Sequence, residues 1–393
     1  MDIPAIIDIL RYKHQIILQG PPGTGKTFMA EQIAADITRD GGEMKIIQFH
    51  PAYSYEDFVR GITAEVNETQ VEYNVKNRVM AEFAAKAQRN YVNSQKGTKE
   101  LGREVWVRKV FEQFKEEVLA EVEHQNGLAL TPFVTVVSVE DDAFRYMGMW
   151  KSSQRMKYDD LIELYLNDVS ERQDIVNYPK ISGLARTHAT YFKQMLDKFR
   201  DFAQQRSTPS NQAAKEDLQY FVLIIDEINR ANLSAVLGEL IYALEYRGKA
   251  LESIYELEGD REITLPPNLY IIGTMNTADR SIGHLDYAIR RRFAFVSVLP
   301  SETVIEEVVQ EAAVRAKALA LFRSVGDLFG PDYLAPGFDA ADVRPGHSYF
   351  LAQNDQELHL KLAFEIKPLL LEYLKDGILQ GDVVRNAIES LHV

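Results

Sequence analysis

The sequence predicts an α/β fold, a parallel sheet built around a phosphate-binding loop, with a large insertion and a C-terminal helical lid. Three observations predict it. Gly20-Pro21-Pro22-Gly23-Thr24-Gly25-Lys26-Thr27 fits the pattern G-x-x-x-x-G-K-[ST] at every fixed position, between an apolar run at 14–19 and a helix-forming run from Phe28. A second apolar run, Phe221-Val222-Leu223-Ile224-Ile225, ends in the carboxylates Asp226-Glu227. Residues 66–215 between them exceed any ordinary connection, so they hold an inserted domain.

The first βαβ unit comes early. Residues 3–10 read as a short amphipathic helix and 14–19 as a buried strand. After the loop and its helix, Gly41-Gly42 breaks the pattern and 44–49 reads as a second strand. Such a unit implies a parallel sheet with a right-handed crossover. Ser54 is placed to cap a helix near Glu56, while Tyr53, Tyr55 and Phe58 suit packing or a loop facing a central channel.

Within the insertion, 75–121 has helical periodicity, 131–139 is β-rich, and 158–167 and 187–203 read as helices. From 76 to 117 the basic residues Lys76, Arg78, Lys86, Arg89, Lys96, Lys99, Arg103, Arg108, Lys109 and Lys115 outnumber the acids. They suit solvated helix faces or a DNA contact. Trp106, Tyr146, Trp150 and Tyr158 suit a small core or stacking on bases. Beyond the insertion, 233–246 reads as an amphipathic helix, 247–265 as a hairpin, 269–275 as a fourth strand and 301–393 as the lid. In the lid, 344–350 is a simple turn or brings Arg344 or His347 to a nucleotide.

Each motif has a chemical reason. Gly23 and Gly25 let consecutive N–H groups face phosphates, and the following helix adds positive potential. Gly20, Pro21, Pro22, Gly23, Thr24, Gly25, Lys26, Thr27, Phe28 and Asp226 form the expected nucleotide-binding set, with Lys26 on the β- and γ-phosphates. Thr27 and Asp226 are the expected Mg²⁺ ligands, and Glu227 the base that deprotonates the attacking water. Asn276, at the tip of the fourth strand, is placed to touch both that water and the γ-phosphate. Asp279 and Arg280 follow it and count among the catalytic candidates. Arg290-Arg291-Arg292 stand before a strand, where guanidinium groups can reach a neighbouring subunit's phosphates. Arg291 and Arg292 are the candidate fingers, and such a finger accelerates hydrolysis by roughly 10³–10⁵.

Composition narrows the setting. The chain has 393 residues and a net charge of −14, so DNA binding would need local patches. It has no cysteine, which excludes disulfides and zinc–thiolate sites and fits a cytoplasmic protein. No apolar run reaches ~20 residues, so no membrane span is expected. Met1-Asp2-Ile3-Pro4 does not read as a signal peptide.

Together these residues resemble the AAA+ superfamily, and most closely the McrB family of modification-dependent restriction motors. The stretches Met275-Asn276-Thr277-Ala278-Asp279-Arg280-Ser281, Asp226-Glu227-Ile228-Asn229-Arg230-Ala231-Asn232, Gln48-Phe49-His50-Pro51 with Tyr55-Glu56-Asp57-Phe58, and Gly346-His347-Ser348-Tyr349-Phe350 carry the resemblance, over about 1–65 and 215–393. It implies an AAA+ P-loop NTPase with a parallel five-stranded sheet, in four parts: core 1–65, insertion 66–215, core 216–300 and lid 301–393. It further implies GTP (or ATP) with Mg²⁺, a homo-oligomeric ring that is typically a hexamer, an McrC-like endonuclease partner, and action on DNA. The chain begins close to the phosphate loop, so the family's N-terminal DNA-reading domain is expected to be absent. Rival readings are a protein-remodelling chaperone and a slow nucleotide-operated scaffold.

Overall fold

The computed structural model describes residues 2–67, 70–150, 152–206, 216–257, 260–279, 285–381 and 383–393. Helix α1 (Ile3–Lys13) starts where the Asp2 carboxylate accepts the Ala5 N–H and ends at His14, in the left-handed region. Strand β1 (Gln15–Gly20), the loop and helix α2 (Lys26–Ile37) follow, then β2 (Glu43–Gln48). Ser54 caps α3 (Tyr55–Phe58), and Asp57 completes the capping box. The hairpin β3 (Arg60–Asn67) and β4 (Gln70–Asn77) leads to helices α4 (Val79–Gln95) and α5 (Thr98–Gln125). Strands β5 (Leu128–Thr131), β6 (Val134–Val139), β7 (Ala143–Met147) and β8 (Gln154–Lys157) form an antiparallel sheet, backed by α6 (Tyr158–Leu166), α7 (Arg172–Asn177), α8 (Gly183–Thr187) and α9 (Ala189–Gln204).

The core resumes with β9 (Phe221–Asp226), α10 (Leu233–Leu237) and α11 (Leu240–Ala243). Then come the hairpin β10 (Ala250–Leu257) and β11 (Asp260–Thr264), β12 (Leu269–Asn276), α12 (Tyr287–Arg290) and β13 (Ala294–Ser297). The lid holds α13 (Glu302–Val308), α14 (Ala312–Asp327), α15 (Ala340–Val343), α16 (Asp355–Lys361), α17 (Lys367–Lys375) and α18 (Val384–Glu389).

The main sheet is parallel with the order β13-β1-β12-β9-β2. Both faces are buried, which is why β1, β9 and β12 read as continuous apolar runs. Ile16, Leu18, Ile224 and Ile272 pack under α1 and α2. Ile17, Leu223, Ile225 and Ile271 pack on the other face against α3, α4, α10 and α11. Although β1 and β2 are consecutive strands, they do not pair, because β12 and β9 lie between them.

Three expectations change. The 75–121 stretch begins as strand, since β4 runs to Asn77. The single helix expected at 233–246 breaks at Gly238, whose φ of 50° and ψ of −126° leave the helical region beside the Tyr55 ring. Helix α4, inside the 66–215 stretch, packs Met80, Phe83, Ala84 and Ala87 into the core beneath the sheet. A separate cluster, from Val107 to Ala203, is the insertion's own core.

Tyr55 and Phe58 are buried and Tyr53 packs against them, so these rings are packing residues. Tyr146 and Tyr158 lie in the insertion core, with Trp106 and Trp150 against its edge. Several basic residues of α4, α5 and the turn between them are ion-paired: Lys86 with Glu43, Lys96 with Glu104, Arg103 with Asp168 and Arg108 with Glu104 and Asp159. No helix among the described residues is long and apolar enough to cross a membrane.

Candidate nucleotide site

The parallel register brings the carboxyl ends of β1, β9 and β12 to one edge, where ligands bind in open α/β sheets. Gly20 pairs with Asn276, and Gln48 with Asp226, so the phosphate loop and the tips of β9 and β12 sit side by side.

Gly23 and Gly25 have φ of 80° and 76°, in the left-handed region that an L side chain rarely adopts. These are the conformations that let a loop's amides face phosphates ahead of α2. Lys26 is only 8% exposed. Its Nζ donates to Gly20 O at 3.0 Å and Pro21 O at 2.8 Å. Burial lowers its pKa to about 8, against the opposing pull of Glu227 and Asp226. That displacement corresponds to about 3 kcal/mol, so the free site holds an under-solvated cation suited to a polyphosphate. Thr24 donates its hydroxyl to Pro21 O at 3.0 Å. Phe28 is 64% exposed on α2, and its ring faces solvent.

Thr27 Oγ1 donates to Asp226 Oδ1 at 2.8 Å, and Thr274 Oγ1 donates to the same oxygen at 2.5 Å. A hydroxyl and a carboxylate this close suit Mg²⁺, which keeps most of its water and takes one or two protein oxygens plus substrate phosphate. Among the described residues no group of three or more His, Asp or Glu could hold a metal by itself.

Glu227 follows in the left-handed region, at φ 53° and ψ 46°. A non-glycine residue held there costs about 1–3 kcal/mol, and such strain clusters at functional sites. Its N–H donates to Thr274 Oγ1 at 3.1 Å. Its Oε1 accepts from Asn276 Nδ2 at 2.5 Å. Its Oε2 is buried without a hydrogen bond and faces Arg230 Nε at 3.3 Å. A carboxylate anchored at Oε1, with Oε2 accepting no hydrogen bond, has the lone pairs a base for water needs.

The lid closes on the same edge. Gly346 N–H donates to Pro22 O at 2.8 Å and Ser348 N–H to Gly23 O at 2.9 Å. His347 is 7% exposed, and burial lowers its pKa. Its Nδ1 accepts the Ser301 N–H at 3.3 Å, which leaves Nε2 facing Gly25. Arg344 turns away into the lid, with its guanidinium over the Phe322 ring.

The arginines separate. Arg292 is 7% exposed, donates to Ile241 O and Ala288 O, and pairs with Glu245 at 3.2 Å. The candidate finger at Arg292 is thus a structural guanidinium of its own chain. Arg291 is exposed, and its guanidinium stands 3.7 Å from Glu245. Asp279 is half-buried past the tip of β12, and Arg280 lies outside the described residues. The sequence reading missed Thr274 and the seating of Gly346 and Ser348. Thr274 was findable, since it stands two residues before Asn276 on one strand and so shares its face.

Comparison with known proteins agrees with this geometry. Residues 15–95 and 153–293, more than half of the chain, match the family of the AAA domain (dynein-related subfamily). The chain is 25% identical over 390 residues to the type IV methyl-directed restriction enzyme EcoKMcrB subunit of Escherichia coli (strain K12), covering 95% of this chain and 57% of that protein. It is 32% identical over 138 residues to the type II restriction enzyme BsuMI component YdiS of Bacillus subtilis (strain 168), covering 30% of this chain and 40% of that protein. The chain thus spans little more than half of the length of the first and less of the second.

Proposed function

The chain belongs to the AAA domain family, dynein-related subfamily, and from that premise we propose that it is a Mg²⁺-dependent GTPase of McrB type. It assembles into a ring, typically a hexamer, and drives a partner endonuclease on DNA. The observation that carries the hydrolytic part is the convergence of Lys26, Thr27–Asp226 and Glu227–Asn276 at one sheet edge. The similarity to the EcoKMcrB subunit and the BsuMI component supports the restriction role and an McrC-like partner. The preference for GTP over ATP rests on the McrB resemblance of the sequence motifs alone.

The chemistry follows from the positions. The loop amides and the Lys26 ammonium hold the triphosphate and offset charge on its β- and γ-oxygens. The Glu227 carboxylate takes a proton from water as its oxygen attacks the γ-phosphorus and the bond to the β–γ bridging oxygen breaks. Asn276 orients that water or the γ-phosphate with its amide. Mg²⁺, when held by Thr27 Oγ1 and Asp226, neutralises phosphate charge. Arg291 of a neighbouring copy completes the site.

The test separates binding from turnover. Lys26→Ala should abolish nucleotide binding in calorimetry, because its contact is with ground-state phosphates. Glu227→Gln should bind normally and release phosphate at least 10²-fold more slowly, in line with about 10²–10⁴ for a general base. Wild-type turnover in Glu227→Gln removes the base assignment. Competition between GTP and ATP decides the nucleotide. Cleavage of DNA that needs this chain, a co-purifying nuclease and hydrolysable nucleotide supports the restriction role, whereas stimulation by unfolded protein transfers the chain to the chaperones.

A further inference from the structure

The tip of β12 is tied to two other parts of the site. Asn276 Nδ2 holds Glu227 Oε1 at 2.5 Å. The next residue, Thr277, donates its N–H to Gly20 O at 3.1 Å, where the phosphate loop begins. Its hydroxyl donates to Asp342 O at 2.6 Å, in the last turn of α15. Shortly beyond Asp342, the lid donates from Gly346 and Ser348 back to Pro22 O and Gly23 O. These bonds close a circuit of loop, strand tip, lid and loop again. Three of its links are main-chain N–H groups, which a change of side chain leaves in place. The Thr277 hydroxyl is the link that a substitution can remove.

The geometry points to Thr277 as a positioning residue that couples the phosphate-contacting strand tip to the lid. Its hydroxyl holds the segment 342–348 against the phosphate loop, in fixed register with Asn276 one residue away. A phosphate engaged by Asn276 shifts the β12 tip, and Thr277 passes that shift to Asp342 and the lid. The lid then releases or retains nucleotide according to the state of Asn276. This role rests on the nucleotide-binding reading of the site. It also accounts for the chemistry at position 277, where the tip needs an O–H donor on one side and a main-chain N–H on the other.

Thr277→Val removes the hydroxyl and keeps the shape; Thr277→Ser keeps the hydroxyl. The Thr277 bond is at the surface, so folding is not at stake. The probes are GTP and ATP carrying an N-methylanthraniloyl fluorophore, chased from the full chain in a stopped-flow instrument. Hydrogen exchange of peptides covering 340–350 is measured with and without nucleotide. A neutral hydrogen bond is worth about a two- to tenfold change in rate. Thr277→Val should raise the dissociation rate by about that factor and lose the nucleotide-dependent protection of 340–350, and Thr277→Ser should restore both. A merely structural hydroxyl would lower protection equally with and without nucleotide, and that result overturns the coupling. Unchanged dissociation in Thr277→Val, or Thr277→Ser behaving like Thr277→Val, also overturns it while leaving the nucleotide site standing. A wild-type chain that binds neither probe refutes the nucleotide reading and the coupling together.

Discussion

Lys26 shows how much the site depends on single residues. Its ammonium is buried among main-chain carbonyls, and desolvation lowers its pKa to about 8. A bound triphosphate favours the charged form, so binding raises that value again. The sign follows directly. Below pH 8 Lys26 is charged in both states and affinity does not depend on its proton. Above pH 8 the free protein has lost the proton, and binding must take one up. Affinity should therefore fall about tenfold per pH unit above 8, until the value in the complex is reached. Calorimetry at pH 9 in two buffers of different ionisation heat should show uptake approaching one proton. The meeting of Lys26, Thr27 and Glu227 at one sheet edge was legible, because their motifs fix where each stands on the chain. The pairing of Arg292 was not legible, because the acceptors that claim its guanidinium, Ile241 O and Glu245, come from α11 and the residues just after it, distant in sequence.

Secondary elements were legible according to how they are buried. Strands β1, β9 and β12 are covered on both faces and announce themselves as apolar runs. The β3–β4 hairpin carries polar residues such as Thr63 and Asn74 and does not read as strand, and its last residues, 75–77, merge with the helical pattern that follows. The break at Gly238 depends on the Tyr55 ring from a distant helix, which no local pattern encodes. The seating of 344–350 on the phosphate loop is of the same kind. Gly346 lies so close that a Cβ there would stand 2.0 Å from Gly23 C and 2.3 Å from Thr24 N. Both are main-chain atoms of a loop fixed by its own function, so neither can yield. Gly346→Ala should leave the lid's own core intact, because Phe322, Phe350 and Leu358 pack without it. It should lower phosphate release at least tenfold and weaken nucleotide binding, with an unchanged far-ultraviolet circular dichroism spectrum. Wild-type turnover in this variant would show that the loop and lid need not touch during the cycle.

At the scale of the molecule, the site is assembled from distant parts of the chain, and its described cations are mostly spoken for: Arg230 pairs with Glu227 at 3.3 Å. Lys26 is the loop's own cation, and Arg344 is turned into the lid. Arg292 is taken up by Ala288 O, Ile241 O and Glu245. Arg291 is different. Its side chain is 66% exposed and its nearest acid stands 3.7 Å away, a weak surface pair that a phosphate would outcompete. It sits just before β13, whose strand begins at the end of the sheet opposite the phosphate loop, so it lies away from its own chain's loop. In the proposed ring its neighbour is a second copy of the chain, and Arg291 would then reach a phosphate loop not its own. The prediction is complementation. Glu227→Gln protein has a good arginine and a dead base; Arg291→Ala protein has a good base and no finger. Each alone should be inactive. Mixed, they should recover hydrolysis at those interfaces where an intact base meets an intact arginine. The recovery should peak at intermediate ratios and vanish at either extreme. Mixing is verified independently by energy transfer between labelled subunits. Rings that mix and recover no activity at any ratio would place the arginine's role inside its own chain and remove the shared site.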